Sequence, residues 1–194
     1  MARQPVAPAL LDTAERLFQL HGIHGIGIDA ILAASGRSSR SLYQHFGSKE
    51  GLALAVLKRR DAALLAMLRE AASAESDPRR KLLALFDALE AWFRQPDFRG
   101  CPFVHAAGAF PEPDHSLRRA AADHKRALLA FLRELAADSG VVAPARLARE
   151  LFLLIEGATA AALVLGEPGA AATARRAAAA LFEAQRRDAT PTPP

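Results

Sequence analysis

Three glycines, Gly22, Gly36 and Gly47, divide the first fifty residues into helical stretches, two of them only about two turns long. No other feature of the chain constrains its fold as tightly. The first stretch predicts a helix over residues 7–21: Leu10, Ala14, Leu17 and Phe18 repeat at helical spacing, while Asp12, Glu15 and Arg16 fall elsewhere on the wheel. Gly22 ends it, because glycine takes a left-handed cap without a Cβ penalty. The segment Gly22-Ile23-His24-Gly25-Ile26-Gly27 is not expected to hold a helix. It is no phosphate loop either, since it follows a helix rather than a strand and lacks the Lys-Ser/Thr ending. A second helix, residues 28–35, ends at Gly36. Ser38 and Ser39 offer N-caps to a third, residues 39–46, which Gly47 ends. Ser48 then caps a long fourth helix that reaches about residue 74. Two short helices joined by a tight turn containing glycine form a helix-turn-helix pattern.

Beyond Ser76-Asp77-Pro78 the helical period resumes through Leu82, Leu83, Phe86, Leu89, Trp92 and Phe93, and Pro96 closes it. A short helix is expected over 102–110, broken by Pro111 and Pro113, and a long one over 114–139. After Gly140 and Pro144 a helix covers 145–165. After Gly166, Pro168 and Gly169 an Ala-rich helix runs to about residue 187. The fold class is therefore all-α, with nine helices: a three-helix head over residues 1–51 and a six-helix domain over 52–188. The Thr/Pro tail, 189–194, is expected to be disordered. The 194 residues suffice for a small head on a larger body, and 51% hydrophobic residues exclude a disordered chain.

Charge separates the two parts. Residues 1–60 hold eight of the 25 Lys and Arg and four of the 21 Asp and Glu, which leaves seventeen of each in the remainder. The excess sits wholly in the first third of the chain, as expected of a polyanion-binding N-terminal region on a neutral body. The single cysteine, Cys101, excludes an internal disulfide framework and fits a reducing cytoplasm. Asp12, Glu15 and Arg16 interrupt the opening apolar pattern, so it does not read as a secretory signal. The most apolar run, residues 151–166, carries Glu156 and is shorter than the roughly 20 residues a bilayer span needs. A cytoplasmic location without membrane contact is expected.

The most specific feature is Leu42-Tyr43-Gln44-His45-Phe46-Gly47-Ser48-Lys49-Glu50-Gly51-Leu52. It resembles the Leu-Tyr-x-His-Phe-x-Ser-Lys-Glu-x-Leu signature that closes the helix-turn-helix of the TetR/AcrR family of transcriptional regulators. Ile31, Ala34 and Gly36 upstream, and Ala14, Leu17, Phe18 and Gly22 in the first helix, fit the same pattern, so the resemblance covers residues 9–57. The residues agree by themselves. Leu42 and Phe46 lie four apart and share one face, which should bury against the first two helices. The opposite face carries Ser39, Arg40, Tyr43 and Gln44. Such a face fits the DNA major groove, where Arg pairs with guanine and Gln with adenine. Arg37, Ser38 and Ser41 flank it, and Tyr43, His45 and Lys49 suit phosphate contacts. Tyr43 could instead be a half-buried core aromatic, His45 a packing or capping residue, and Arg40 a solvated arginine. Two positions depart from the family pattern. Gly27 stands where Ser or Thr usually caps the second helix, and Arg37 replaces a small apolar residue in the turn.

In the second domain Gly100-Cys101-Pro102-Phe103-Val104 looks like a motif of one branch of the family. Candidate residues for a small, partly aromatic or lipophilic effector are Trp92, Phe93, Phe103, His105, Phe110, His124, Phe131, Phe152 and Glu156. Plain core packing is the alternative for each aromatic. Glu156 stands out, because an unpaired carboxylate in so apolar a helix would be costly; a partner such as an arginine across a dimer is the alternative. Cys101 and His105 make only half a metal site, so no metal or other cofactor is expected. No nucleophile or acid/base pair has a recognisable spacing, and no catalytic residue is assigned. The last two helices should form a homodimer through Leu147, Leu151, Leu154, Ala158, Ala161, Ala174, Ala177, Ala178 and Leu181. The resemblance implies a dimeric repressor that reads an inverted-repeat operator in double-stranded DNA and is released by a small molecule.

Overall fold

The computed structural model describes residues 5–187. These form nine helices and no strand: α1 (Val6–Gly25), α2 (Ile28–Ser35), α3 (Ser39–Phe46), α4 (Lys49–Ser73), α5 (Pro78–Phe93), α6 (Pro102–Ala109), α7 (Ser116–Ala137), α8 (Pro144–Leu165) and α9 (Ala170–Arg187). The expected tail, 189–194, lies outside the described residues. The helices fall into two compact units.

The first unit comprises the chain up to Ala63 together with Cys101–His124. Ala9, Leu10, Ala14 and Phe18 make one buried stripe on α1, which packs against α2, α3 and α6. Ile31 of α2 and Leu42 of α3 are fully buried, as are Leu52 of α4, Phe103 of α6 and Leu117 of α7. The unit that holds the head is thus larger than residues 1–51, because α6 packs on α1 and joins the head.

Gly22 breaks α1 as expected, at φ 73 and ψ 162. The segment after it corrects the sequence reading, since one further helical turn forms up to Gly25. Tertiary contacts hold that turn where local propensity would not. The His24 ring lies against Phe110, and its Nε2–H reaches the Ala109 carbonyl at 2.9 Å, while Ile26 is buried.

The second unit comprises Leu64–Gly100 and the chain from Lys125 onward. Here α5, α8 and α9 pack on one another around a single core with the ends of α4 and α7. Asp77 caps α5 by accepting the Arg80 N–H at 2.8 Å, and Pro78 occupies the first turn, where its missing N–H costs nothing. Trp92, Phe93 and Phe98 pack with ring centroids 5.0–5.6 Å apart.

Five of the nine expected dimer residues need correction. Leu147, Leu151, Ala158, Ala174 and Ala178 are buried in this unit's own core. Helices α8 and α9 are apolar on more than one side, so periodicity did not reveal which side turns inward. The apolar residues that α8 leaves exposed are Leu153, Leu163, Val164 and Leu165, with Gly157 and Ala160 also exposed. Leu153, Gly157, Ala160 and Val164 share one stripe. Among the described residues no helix is long and apolar enough to cross a membrane.

Candidate nucleic-acid interface

The turn between α2 and α3 is built by two residues with distinct tasks. Gly36 ends α2 in the left-handed region at φ 62, and Ser38 caps α3 by accepting the Ser41 N–H at 3.2 Å. Gly47 ends α3 at φ 72 with its N–H on the Tyr43 carbonyl at 2.9 Å. Ser48 then accepts the Gly51 N–H at 2.9 Å, which starts α4. Gly27 opens α2 without a side-chain cap, as its lack of a hydroxyl dictates.

This arrangement fixes which side of α3 is free. Leu42 is wholly buried and Phe46 half-buried, so that side is committed to the head. Ser38, Ser39, Arg40, Tyr43, Gln44 and His45 are exposed, and Arg37, Ser41 and Lys49 are half-buried. Tyr43, 49% exposed, is no core aromatic. The first described positions of α4 add Lys49 beside the helix N-terminus, where backbone N–H groups favour anions. Of the nine expected residues, which all lie within 37–49, Ser39, Arg40, Tyr43 and Gln44 stand on the exposed side of α3. Gly51 has a steric task that its place in the motif does not reveal: a Cβ there would lie 2.0 Å from the Phe46 carbonyl oxygen, so the close approach of α3 and α4 depends on the lack of a side chain.

A charge cluster holds α4 to α1. Arg59 reaches Asp12 at 2.6 Å and also Glu15, and Arg60 reaches the other oxygen of Glu15. Partial burial of Arg59 opposes its charge, but hydrogen bonds and attraction from Asp12 and Glu15 outweigh this and raise its pKa. The sequence offered no signal for these pairs, because their partners are more than forty residues apart.

The nine candidate effector residues divide between the units. In the first, Phe103 and His124 are buried and stacked, Phe110 lies against His24 and His115, and His105 is exposed on α6. In the second, Phe93 and Phe131 are core side chains, while Trp92 and Phe152 are half-buried against that core. Glu156 is neither deeply buried nor unpaired; Lys125 Nζ lies 2.6 Å from it, which removes the need for a partner across a dimer. Among the described residues no three His, Cys, Asp or Glu side chains gather as metal ligands.

Comparison with known proteins covers both units. Residues 10–56 match the model of bacterial regulatory proteins of the tetR family, and residues 78–178 match the tetracyclin repressor-like C-terminal domain. The chain is similar to SCO4454, a TetR-family transcriptional regulator of Streptomyces coelicolor, with 31% identity and a TM-score of 0.88, over 93% of this chain and 95% of that one. It is 27% identical to the HTH-type transcriptional regulator YjdC of Escherichia coli over 87% of this chain and 89% of that protein. A shorter match, 42% identical, joins it to the HTH-type transcriptional activator FasR of Mycolicibacterium smegmatis, over 43% of this chain and 37% of that regulator's length.

Proposed function

The chain belongs to the tetR family of bacterial regulatory proteins, and from that premise we propose that it is a dimeric repressor released from an inverted-repeat operator by a small molecule. One observation carries the reading. The side of α3 left free by the burial of Leu42 presents Ser39, Arg40, Tyr43 and Gln44, a set of donors suited to base edges in a major groove. Ser38, Ser41, Arg37, His45 and Lys49 serve the phosphates around it. The protein acts in the cytoplasm, where its DNA lies, and not as an enzyme.

A second copy docks on the exposed apolar stripe of α8, Leu153 to Val164, beside α9. Two copies related by a two-fold axis present two α3 helices to successive major grooves, and the operator mirrors that symmetry. The effector binds the C-terminal part, where the half-buried Trp92 and Phe152 are open to a lipophilic molecule and the Lys125–Glu156 pair supplies the polar groups. It must bind the DNA-free state more tightly, by the same coupling energy that DNA loses. Activation is the second reading, favoured by the name of the M. smegmatis relative.

Fluorescence anisotropy with duplexes from the region upstream of the protein's own gene, against a scrambled duplex, tests the binding. Preference for one upstream duplex supports the reading, and equal affinity for all of them contradicts it. Release of that duplex by a compound that also raises the melting temperature identifies an effector.

A further inference from the structure

Within the first unit, the connector from α6 to α7 touches both ends of the helix-turn-helix. On the entry side, His24 sits on the single turn between the Gly22 break and α2. It donates its Nε2–H to the carbonyl of Ala109, the last residue of α6, at 2.9 Å. The next residue, Phe110, lies against two imidazoles, His24 and His115, each with its ring centroid 4.3 Å away. His115 Nδ1 accepts the Leu117 N–H at 3.2 Å and so fixes the start of α7. On the exit side, the Ser116 hydroxyl donates to the Glu50 carboxylate, one residue beyond Lys49. Arg118 closes the connector on itself by donating to the Ala107 carbonyl at 2.9 Å.

We propose that the connector is a clasp: His24 with Phe110 and His115, and Ser116 with Glu50, position α2 and α3 for operator reading. These residues set operator affinity although none lies on the exposed side of α3. The proposal rests on the reading of α3 as the DNA-reading helix. Its physical basis is the mismatch between where the contacts lie and what they can stabilise. His24 and Glu50 are exposed, and the His24 and Ser116 hydrogen bonds are solvent-accessible, so they add little to fold stability, which resides in Leu10, Ile31 and Leu42. Base readout, by contrast, needs its side chains held to a fraction of an ångström, while phosphate attraction tolerates small displacements.

The test uses the full-length protein with two probes, the duplex recovered by in vitro selection and a random-sequence duplex. His24→Ala and Ser116→Ala should each lower affinity for the selected duplex by about 5- to 20-fold while the random duplex changes by less than about twofold. Melting temperatures should stay near that of the wild type. His24→Gln should restore the affinity, because its amide can donate to the Ala109 carbonyl in place of Nε2. Should His24→Ala lower the melting temperature markedly, Phe110→Leu, which keeps apolar volume but removes the ring, is measured for the same split. Equal loss on both duplexes, loss on neither, or no rescue by Gln overturns the clasp. A wild type that recovers no preferred duplex overturns the reading of α3, and the clasp with it.

Discussion

The imidazole of His124 lies face to face with the ring of Phe103, centroids 3.7 Å apart and planes 9° from parallel, and its Nδ1 is 2.6 Å from an Asp61 oxygen. Three helices of the first unit, α4, α6 and α7, meet in this contact. Phe103→Ala removes the buried ring and leaves a cavity, and should cost about 3–5 kcal/mol in urea unfolding. His124→Phe keeps the stacked shape but loses the bond to Asp61. With Asp61 partly open to water, this should cost only about 1 kcal/mol. A larger loss for His124→Phe than for Phe103→Ala would show that the hydrogen bond, not the packing, dominates.

Arg40 and Lys49 should separate in direct titration. Arg40→Ala is expected to weaken binding to the preferred operator by about 1–3 kcal/mol and to leave random DNA nearly unchanged. Lys49→Ala should weaken both alike and reduce the slope of log affinity against log salt by about one. A sequence-selective loss at Lys49 would contradict its assignment to phosphate.

Arg59 serves Asp12 and Glu15 together, and Glu15 is the least exposed member of the cluster. Because the pairs are partly solvated, Arg59→Gln should lower stability by only about 1 kcal/mol, less in high salt. Its raised pKa means that its contribution is complete below the ordinary arginine value and is lost only as pH rises through the higher folded value. The difference in unfolding free energy between Arg59→Gln and wild type should therefore show no step from arginine titration between about pH 6 and 9.

On α8, Leu151 and Leu153 are two residues apart and 1% and 67% exposed. Leu153→Glu or Val164→Glu should yield a folded monomer by sedimentation, with operator affinity lost. Leu151→Glu places a charge in the core and should fail to fold. A Leu153→Glu protein that remains dimeric would move the interface elsewhere.

Local signals account for what the sequence made legible. Glycine, proline and serine mark helix ends chemically, so α2 and α3 fall on the expected residues and the other bounds shift by at most a few, apart from the turn after Gly22. The face of α3 was readable because only Leu42 and Phe46 demand burial there. The contacts of His24 with Ala109 and Phe110, and of Arg59 with Asp12, were invisible, since each joins distant segments through polar atoms that leave no periodic trace. Among the expected dimer residues of α8, Leu147, Leu151 and Ala158 turn out to be interior for a different reason: alanine and leucine on more than one side blur the wheel, and only packing against α5 and α9 decides which face is interior.

The most direct test of a DNA-reading α3 is in vitro selection from a random duplex library with the wild type and with Arg40→Ala. The wild type should enrich an inverted repeat, and Arg40→Ala should recover the same repeat with one base position per half-site relaxed. An unsymmetrical motif, no enrichment, or a logo unchanged by the substitution would contradict the account.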